Sequence, residues 1–206
     1  MVDNLGILHH QDTKTQSKTM AEVAKKQENQ TDELFQRNFR NSAVQVGMVV
    51  RDIEATMRTL TELFGIGPFR VVDCPPDERK DQQYLRGEPA RFRTRQAFAD
   101  LGHFELELIQ PLEGTTIWSE SLEQHGPGLH HIRFNTPDLE HVVKTLADRG
   151  IGKTQEGAGI REGTYWANFD TEKLLGFTLE IMKPLPGSDG RTPGASIRSP
   201  LPAGEG

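Results

Sequence analysis

Two stretches of this chain repeat one pattern: Phe104–Pro111 reads FELELIQP, and Phe177–Pro184 reads FTLEIMKP. They align without a gap at an offset of 73, and the Phe, Leu, Glu and Pro positions coincide. A second pair, QVGMVVRDIE from Gln45 and HIRFNTPDLE from His131, aligns at an offset of 86. Similarity at fixed offsets is typical of duplicated supersecondary units. The sequence therefore predicts two copies of one module.

Each copy carries the same predicted order of elements. Alternating apolar residues and helix-capping residues indicate β-α-β-β-β in both. Module one covers residues 43–112, module two covers 128–185, and a linker at 113–127 joins them. Because modules of this size are too small to be comfortable alone, we expect one domain over residues 42–185. The predicted fold is α+β, with two tandem βαβββ modules forming a curled mixed sheet of half-barrels around a shared cleft.

The two ends of the chain differ from this domain in composition. Residues 1–41 are polar and rich in Gln, Lys, Asn, Thr and Glu, whereas residues 186–206 are dominated by Pro, Gly and Ser. Such segments bury too little apolar surface to fold alone. We interpret both as largely disordered tails.

Overall composition limits the class of protein. The net charge of −6 argues against a nucleic-acid partner. Cys74 is the only cysteine, so an internal disulfide is excluded. No apolar run approaches the ~20 residues of a membrane span, and the N-terminus lacks the apolar core of a secretory signal. We expect a cytoplasmic protein that acts on a small molecule and has neither nucleic acid nor membrane as a partner.

Four polar residues occupy equivalent points of the two copies: Gln45, Glu107, His131 and Glu180. Side chains alternate along a strand, so each of the four falls on the face opposite the predicted helices. Buried carboxylates are costly unless they are paired or bind a cation. Taken singly, such residues more often lie on solvated strand faces, but equivalence under a pseudo-two-fold axis brings these together. One amide, one imidazole and two carboxylates predict a site for one divalent metal ion.

Other residues are weaker candidates. Arg93 and Arg95 share a strand face and could clamp a carboxylate or phosphate of the substrate, although a solvated sheet edge is the alternative. Tyr165 and Trp166 straddle one strand, so one of them should line the cleft, and Trp166 is the candidate substrate contact.

Two further side chains have no assigned chemistry. His130 points away from His131 and is expected in the core or an interface. Cys74 is expected to be a bystander, because no histidine is placed by a motif to activate it.

The motifs QVGMVV from Gln45, ELIQP from Glu107, GLHHI from Gly128 and LEIM from Leu179 resemble the vicinal-oxygen-chelate superfamily of glyoxalases, bleomycin resistance proteins and dioxygenases. The similarity is closest to the methylmalonyl-CoA epimerase and glyoxalase I branches. GLHHI followed by Asp138 and a helix resembles the epimerase. Gln45 stands where the epimerase has His, whereas the order Gln, Glu, His, Glu resembles the zinc ligands of eukaryotic-type glyoxalase I.

This resemblance implies a divalent-metal-dependent isomerase or epimerase. Such an enzyme removes a proton α to a carbonyl and stabilises the enolate on the metal. Its substrate would be a CoA thioester or a 2-oxo or hydroxy carbonyl compound. Glu180 is the first candidate base and Glu107 the second. The ligands suit Zn, Co, Ni or Mn, and iron less, because ring-opening dioxygenases of the superfamily use two His and one Glu.

Alternatives remain open at this point. One is a lyase or dehydratase of the same superfamily, which would lose a leaving group after the same proton abstraction. Another is a metal-free protein that binds and sequesters a small molecule, although such a protein needs no acidic or imidazole ligands. Folds of this superfamily often pair copies across a subunit interface, so a homodimer is plausible.

Overall fold

The computed structural model describes residues 33, 35–39 and 42–188. The chain divides into two compact units, Met1–Arg40 and Asn41–Gly206. In the described part of the first unit, residues 35–37 are helical.

The predicted tails, residues 1–41 and 186–206, lie almost entirely outside the described residues, so their disorder stays a prediction. None of the helices within the described ranges combines the length and the apolar character needed to cross a bilayer.

The second unit carries the predicted modules. Its elements in chain order are β1 (Ala43–Val49), α1 (Ile53–Phe64), β2 (Arg70–Cys74), β3 (Gln83–Leu85), β4 (Glu88–Pro89), β5 (Arg93–Asp100), β6 (Glu105–Glu113), α2 (Ile117–His125), β7 (Gly128–Asn135), α3 (Leu139–Asp148), β8 (Lys153–Ala158), β9 (Tyr165–Phe169), α4 (Glu172–Leu175) and β10 (Thr178–Lys183). Module one follows the predicted order through β1, α1, β2, β5 and β6, and module two through β7, α3, β8, β9 and β10.

All ten strands form one sheet in the order β2-β5-β6-β1-β7-β10-β9-β8-β3-β4. The first four strands belong to module one and the next four to module two, in mirrored order. Within each module the first and last strands run parallel, whereas β1 and β7 pair antiparallel where the modules meet. The predicted α+β fold of two βαβββ modules is confirmed.

The residue pairing between strands agrees with the two offsets found in the sequence. The cross-strand partners are Gln45 with Arg133, Gly47 with His131, Gly47 with Glu107, and Arg133 with Glu180. A pseudo-two-fold axis between β1 and β7 therefore relates Gln45 to His131 and Glu107 to Glu180. These are the pairs that the offsets of 86 and 73 predict.

Local signals in the sequence define both long helices. The Asp52 carboxylate accepts a hydrogen bond from the Ala55 amide (2.9 Å) at the start of α1, and Gly65 ends the helix at a φ of 68°. A side chain at this positive φ would be strained. At the start of α3, the Asp138 carboxylate accepts from the His141 amide (3.1 Å). Capping therefore fixes where each helix begins to cover the sheet.

The two faces of the sheet pack against different partners. The helix-side core contains Val50, Ile53, Ala97, Leu106 and Leu108. On the opposite face Val49 and Ile109 pack with Phe92, Ile117 and Trp118. The alternation predicted along β1 and β6 is confirmed, and it leaves the intervening polar side chains on the concave face.

The segment from Cys74 to Pro89 is rich in polar residues, which favour a loop, but part of it joins the sheet. It contains β3 and β4, and β3 pairs antiparallel with β8 of module two. The Gln83 side-chain amide also donates to the backbone oxygen of Ala158 (3.2 Å). Two short strands of this kind depend on a distant partner, so the local sequence carries little signal for them. The β3–β4 hairpin, which belongs to module one by sequence, therefore pairs with the edge strand of module two.

Candidate functional site

The concave face of the sheet encloses a cavity of about 250 Å³. One wall comes from the segment after β2 and another from residues 158–161, which follow β8. Four aromatic side chains add apolar surface: Phe92, Phe98, Trp118 and Trp166. The carboxylates of Glu107 and Glu180 lie in the same cavity. The cleft predicted between the modules is therefore a partly open cavity that combines an aromatic wall with two acids.

Three of the four predicted ligands meet beside this cavity: Glu107 and Glu180 line it, and the buried His131 contacts both. The His131 Nε2 atom lies 3.2 Å from Glu107 Oε2 and 3.7 Å from Glu180 Oε2. All three residues are buried. The Asn168 side-chain amide donates to Glu180 Oε2 (2.9 Å) and thereby orients that carboxylate. The pseudo-two-fold axis thus places one imidazole between two equivalent acids.

Gln45, the fourth predicted ligand, is held by a residue that the sequence analysis did not single out. Its Nε2 donates to Glu105 Oε1 (2.7 Å), and the Arg133 guanidinium lies 3.6 Å from the same oxygen. The Gln45 Oε1 atom is buried and has no hydrogen-bond partner among the described residues. Because an amide binds metals through its oxygen, this orientation leaves the useful atom free. Glu105 and Arg133 each lie two residues from a predicted ligand, so strand periodicity could have indicated them.

Burial and neighbouring charges shift the pKa values of His131 and Glu180. Burial alone would lower the pKa of His131, but the carboxylates of Glu180 and Glu107 outweigh it and raise that pKa above its ordinary value. For Glu180 burial raises the pKa, and the negative charge of Glu107 adds to the effect, although His131 opposes both. The charge on His131 and the charge on Glu180 therefore influence each other.

His130 completes the environment of His131 from the other side of the strand. The two Nδ1 atoms are 3.2 Å apart. Burial and the neighbouring His131 charge lower the pKa of His130 to about 3, so it stays neutral. The contact engages Nδ1 of His131 and leaves its Nε2 directed toward the two acids. A hydrogen bond of this kind from the second ring nitrogen fixes the orientation of metal-binding histidines.

The donor types in the cluster suit a divalent ion, and one of the two distances matches the spacing that such an ion requires. Two ligands with bonds of about 2.1 Å to one ion lie roughly 3.0 to 3.4 Å apart. The His131–Glu107 distance of 3.2 Å falls in this range, and the His131–Glu180 distance of 3.7 Å lies just above it. Across the described ranges, no three His, Cys, Asp or Glu side chains are close enough to hold an ion as they stand. The metal ion therefore stays a prediction, with Gln45 Oε1 as the added donor.

The predicted substrate contacts fall in different places. Trp166 lines the cavity, where its ring lies 5.5 Å from that of Trp118. Arg93 and Arg95 do not line it and instead pair with Asp73, at 3.3 Å and 2.8 Å. Binding of substrate by these two arginines stays a prediction, and both already have a carboxylate partner. The cavity contains three other arginines that the sequence analysis missed: Arg70, Arg133 and Arg161.

Cys74 borders the cavity, and we expect its thiol to be inert. Burial and the charge of Glu107 raise the pKa of Cys74 well above its ordinary value, and the side chain is only 6% exposed. Since the thiolate is the reactive form, iodoacetamide at pH 8 should label the folded protein roughly 100-fold more slowly than the denatured protein. Mass spectrometry of the single cysteine measures both rates. Equal rates would show that Cys74 is accessible and ionised.

Comparison with solved structures identifies the fold. A methylmalonyl-CoA epimerase from Mycobacterium tuberculosis is 17% identical, with a TM-score of 0.52, over 70% of this chain and 89% of that chain. A variant of the Streptomyces coelicolor methylmalonyl-CoA epimerase in complex with 2-nitronate-propionyl-CoA is 19% identical, with a TM-score of 0.51, over 68% and 95%. A methylmalonyl-CoA epimerase in complex with methylmalonyl-CoA and NH4+ gives the same identity and TM-score over 68% and 92%.

Sequence comparison gives the family. No curated protein sequence matches this chain. Residues 44–167 match the profile of the Glyoxalase/Bleomycin resistance protein/Dioxygenase superfamily. This range runs from β1 of module one into β9 of module two, and so includes three of the four predicted ligands. The chain therefore belongs to the Glyoxalase/Bleomycin resistance protein/Dioxygenase superfamily.

Proposed function

We propose that this protein is a divalent-metal-dependent isomerase or epimerase that removes a proton α to a carbonyl group. The observation that carries the proposal is the pair Glu107 and Glu180. These two carboxylates are related by the pseudo-two-fold axis, line one cavity and flank the imidazole of His131. Two proton-transfer groups in one cavity are what inversion at a carbon needs.

Glu180 is the proposed base. Burial raises the pKa of its carboxyl group, which makes the carboxylate a stronger base than an exposed one. It would take the proton from the α carbon, and the electron pair of the broken C–H bond would stay on the substrate. Return of a proton to the opposite face, from Glu107, gives epimerisation. Return to the neighbouring carbon gives isomerisation.

Gln45, Glu107, His131 and Glu180 are the residues that would hold the metal ion. Imidazole, carboxylate and amide donors suit Zn, Co, Ni or Mn. When bound, the ion would supply a Lewis acid for the carbonyl oxygen of the substrate. His130 would keep its role, because it contacts Nδ1 of His131 and leaves Nε2 for the ion.

Methylmalonyl-CoA is the first substrate to test. Solved structures with the same fold are methylmalonyl-CoA epimerases, and one holds methylmalonyl-CoA itself. At 17 to 19% identity these structures share the fold, so the substrate is a proposal for this chain. A lyase acting on a related compound would start with the same proton abstraction but release an unsaturated product.

One observation favours a second function, that of a protein that binds a small molecule without transforming it. The cavity has an aromatic wall in which the ring of Trp118 lies 5.8 Å from Phe92 and 5.5 Å from Trp166. Such walls bind planar apolar ligands well. A binding protein of this kind would neither need a metal nor exchange substrate protons.

Metal content and proton exchange together test the proposal. Wild-type protein purified with added divalent metal should contain about one ion per chain by elemental analysis. His131→Ala should lose that ion, because the variant lacks the central donor. His103→Ala, which changes an exposed histidine in the β5–β6 turn, should keep it. Nuclear magnetic resonance should then show solvent deuterium entering methylmalonyl-CoA at the α carbon with the wild type.

Each contrary outcome has a distinct meaning. Unchanged metal content in His131→Ala would overturn the site as described. Absence of metal together with absence of exchange would favour the binding protein. Exchange accompanied by an unsaturated product would identify a lyase instead of an epimerase.

A further inference from the structure

Arg70 of β2 has an unusual environment for a charged side chain. It lines the cavity, and its guanidinium carbon lies 5.0 Å from the centre of the Phe98 ring. The Nε and Nη2 atoms of Arg70 are buried and have no hydrogen-bond partner among the described residues. The ring supports the guanidinium from one side but accepts no directed hydrogen bond from those atoms.

The surroundings of Arg70 do not neutralise it. Burial lowers the pKa of Arg70, and the positive charge of Arg161 acts in the same direction, although Glu105 partly opposes them. Arg133, also in the cavity, differs because it lies 3.6 Å from the Glu105 carboxylate. Arg70 as a whole is partly buried, but two of its guanidinium nitrogens are removed from water without an acceptor. Such an arrangement destabilises a fold, so a functional role for these two nitrogens is the simplest explanation.

We propose that Arg70 binds a carboxylate of the substrate inside the cavity that Glu107 and Glu180 also line. This subsite rests on the proposed function, whose substrate class it narrows to carbonyl compounds that carry a free carboxylate. A guanidinium presents paired N–H donors that match the two oxygens of a carboxylate. A phosphate group can accept the same paired hydrogen bonds, so phosphate binding must be compared with carboxylate binding.

The distribution of charge would also orient the substrate. Glu107 and Glu180 repel a carboxylate, whereas Arg70 and Arg161 attract it. A substrate with one anionic group would therefore place that group toward the arginines and its uncharged carbon toward the two acids. The cavity of about 250 Å³ has room for a short acid.

The test compares three probes on the full-length protein by titration calorimetry. Succinate carries carboxylates, succinamide has the same size without charge, and inorganic phosphate represents the other anion. Arg70→Gln should weaken succinate binding at least about tenfold, because it removes the charge-assisted pair. Succinamide should bind the variant and the wild type alike. Arg58→Gln, a change to an exposed arginine of α1 that does not line the cavity, should leave all three affinities unchanged.

The variant should fold, which keeps the test decisive. Because Arg70 lacks a directed partner, Arg70→Gln should unfold at the same temperature as the wild type or a higher one. Succinate binding equal to that of the wild type would overturn the proposal. Tighter binding of phosphate than of succinate, lost in Arg70→Gln, would overturn the assignment to a carboxylate.

Failure of this subsite and failure of the proposed function give different results. Arg70-dependent succinate binding with no α-proton exchange for any carbonyl substrate would leave the subsite standing and remove the isomerase. Exchange at the wild-type rate and with the wild-type KM in Arg70→Gln would leave the isomerase standing and remove the subsite.

Discussion

Replacing Glu180 with Gln should reduce α-proton exchange roughly 10³-fold, because an amide cannot accept the proton. The change preserves size, and the Gln side-chain oxygen can still accept the hydrogen bond that Asn168 donates to Glu180. The fold should therefore be retained, as far-ultraviolet circular dichroism and the unfolding midpoint would show. The loss is measured as the rate of deuterium incorporation from solvent into methylmalonyl-CoA.

Glu156→Gln provides the matched control. Glu156 is a partly buried carboxylate that accepts a hydrogen bond from Tyr165 (3.0 Å) and does not line the cavity. Its variant should exchange protons at the wild-type rate. Wild-type exchange in Glu180→Gln would exclude Glu180 as the base and leave Glu107→Gln as the next variant to measure.

Replacing Gly47 with Ala should have the second large effect, through the position of His131. The two residues are cross-strand partners, and a Cβ atom at Gly47 would overlap the imidazole ring of His131. The ring must move or the strands must separate, at a cost of about 1 to 3 kcal/mol in the free energy of unfolding. Displacement of the ring should also abolish metal binding. Denaturant titration and elemental analysis measure the two effects.

Gly128→Ala separates this effect from a general loss of glycine. Gly128 lies in the same pair of strands, opposite Val49, and a Cβ atom there would meet no heavy atom within 4 Å. This variant should keep both stability and metal content. If Gly47→Ala retained one ion per chain, the imidazole of His131 could not be the central ligand.

Much of the fold could be predicted from the duplicated sequence, because helix capping, which is local, and strand pairing, which is long-range, both agree with the repeat. Asp52 and Gly65 define the ends of α1 through capping, which is a local interaction. The pairing of Gly47 with His131 is long-range, and it agrees with the offset of 86, because its symmetry-related pair, Gln45 with Arg133, is also present. The meeting of Glu107 and Glu180 at His131 follows from the same symmetry.

The remaining features of the fold and the site differ between the two modules, so the sequence repeat could not predict them. Arg70 lies in a short strand, and only the curl of the sheet shows that its side chain enters the cavity. Arg93 and Arg95 share a strand face as expected, but Asp73 on the neighbouring strand pairs with both. The β3–β4 hairpin has no counterpart in module two, so no second copy revealed its conformation.

The hairpin of β3 and β4 also changes how the two modules depend on each other. By sequence it belongs to module one, but by pairing it extends the edge of module two, and residues 75–82 connect it to β2 at the opposite end of the sheet. The chain therefore forms a short strap between the two outermost parts of one sheet, which limits how far the halves can separate. Neither module alone would form a complete sheet. Module two alone would lack β3, which covers its edge strand β8, and module one alone would carry β3 without its partner β8. Each module therefore depends on the other for a complete sheet.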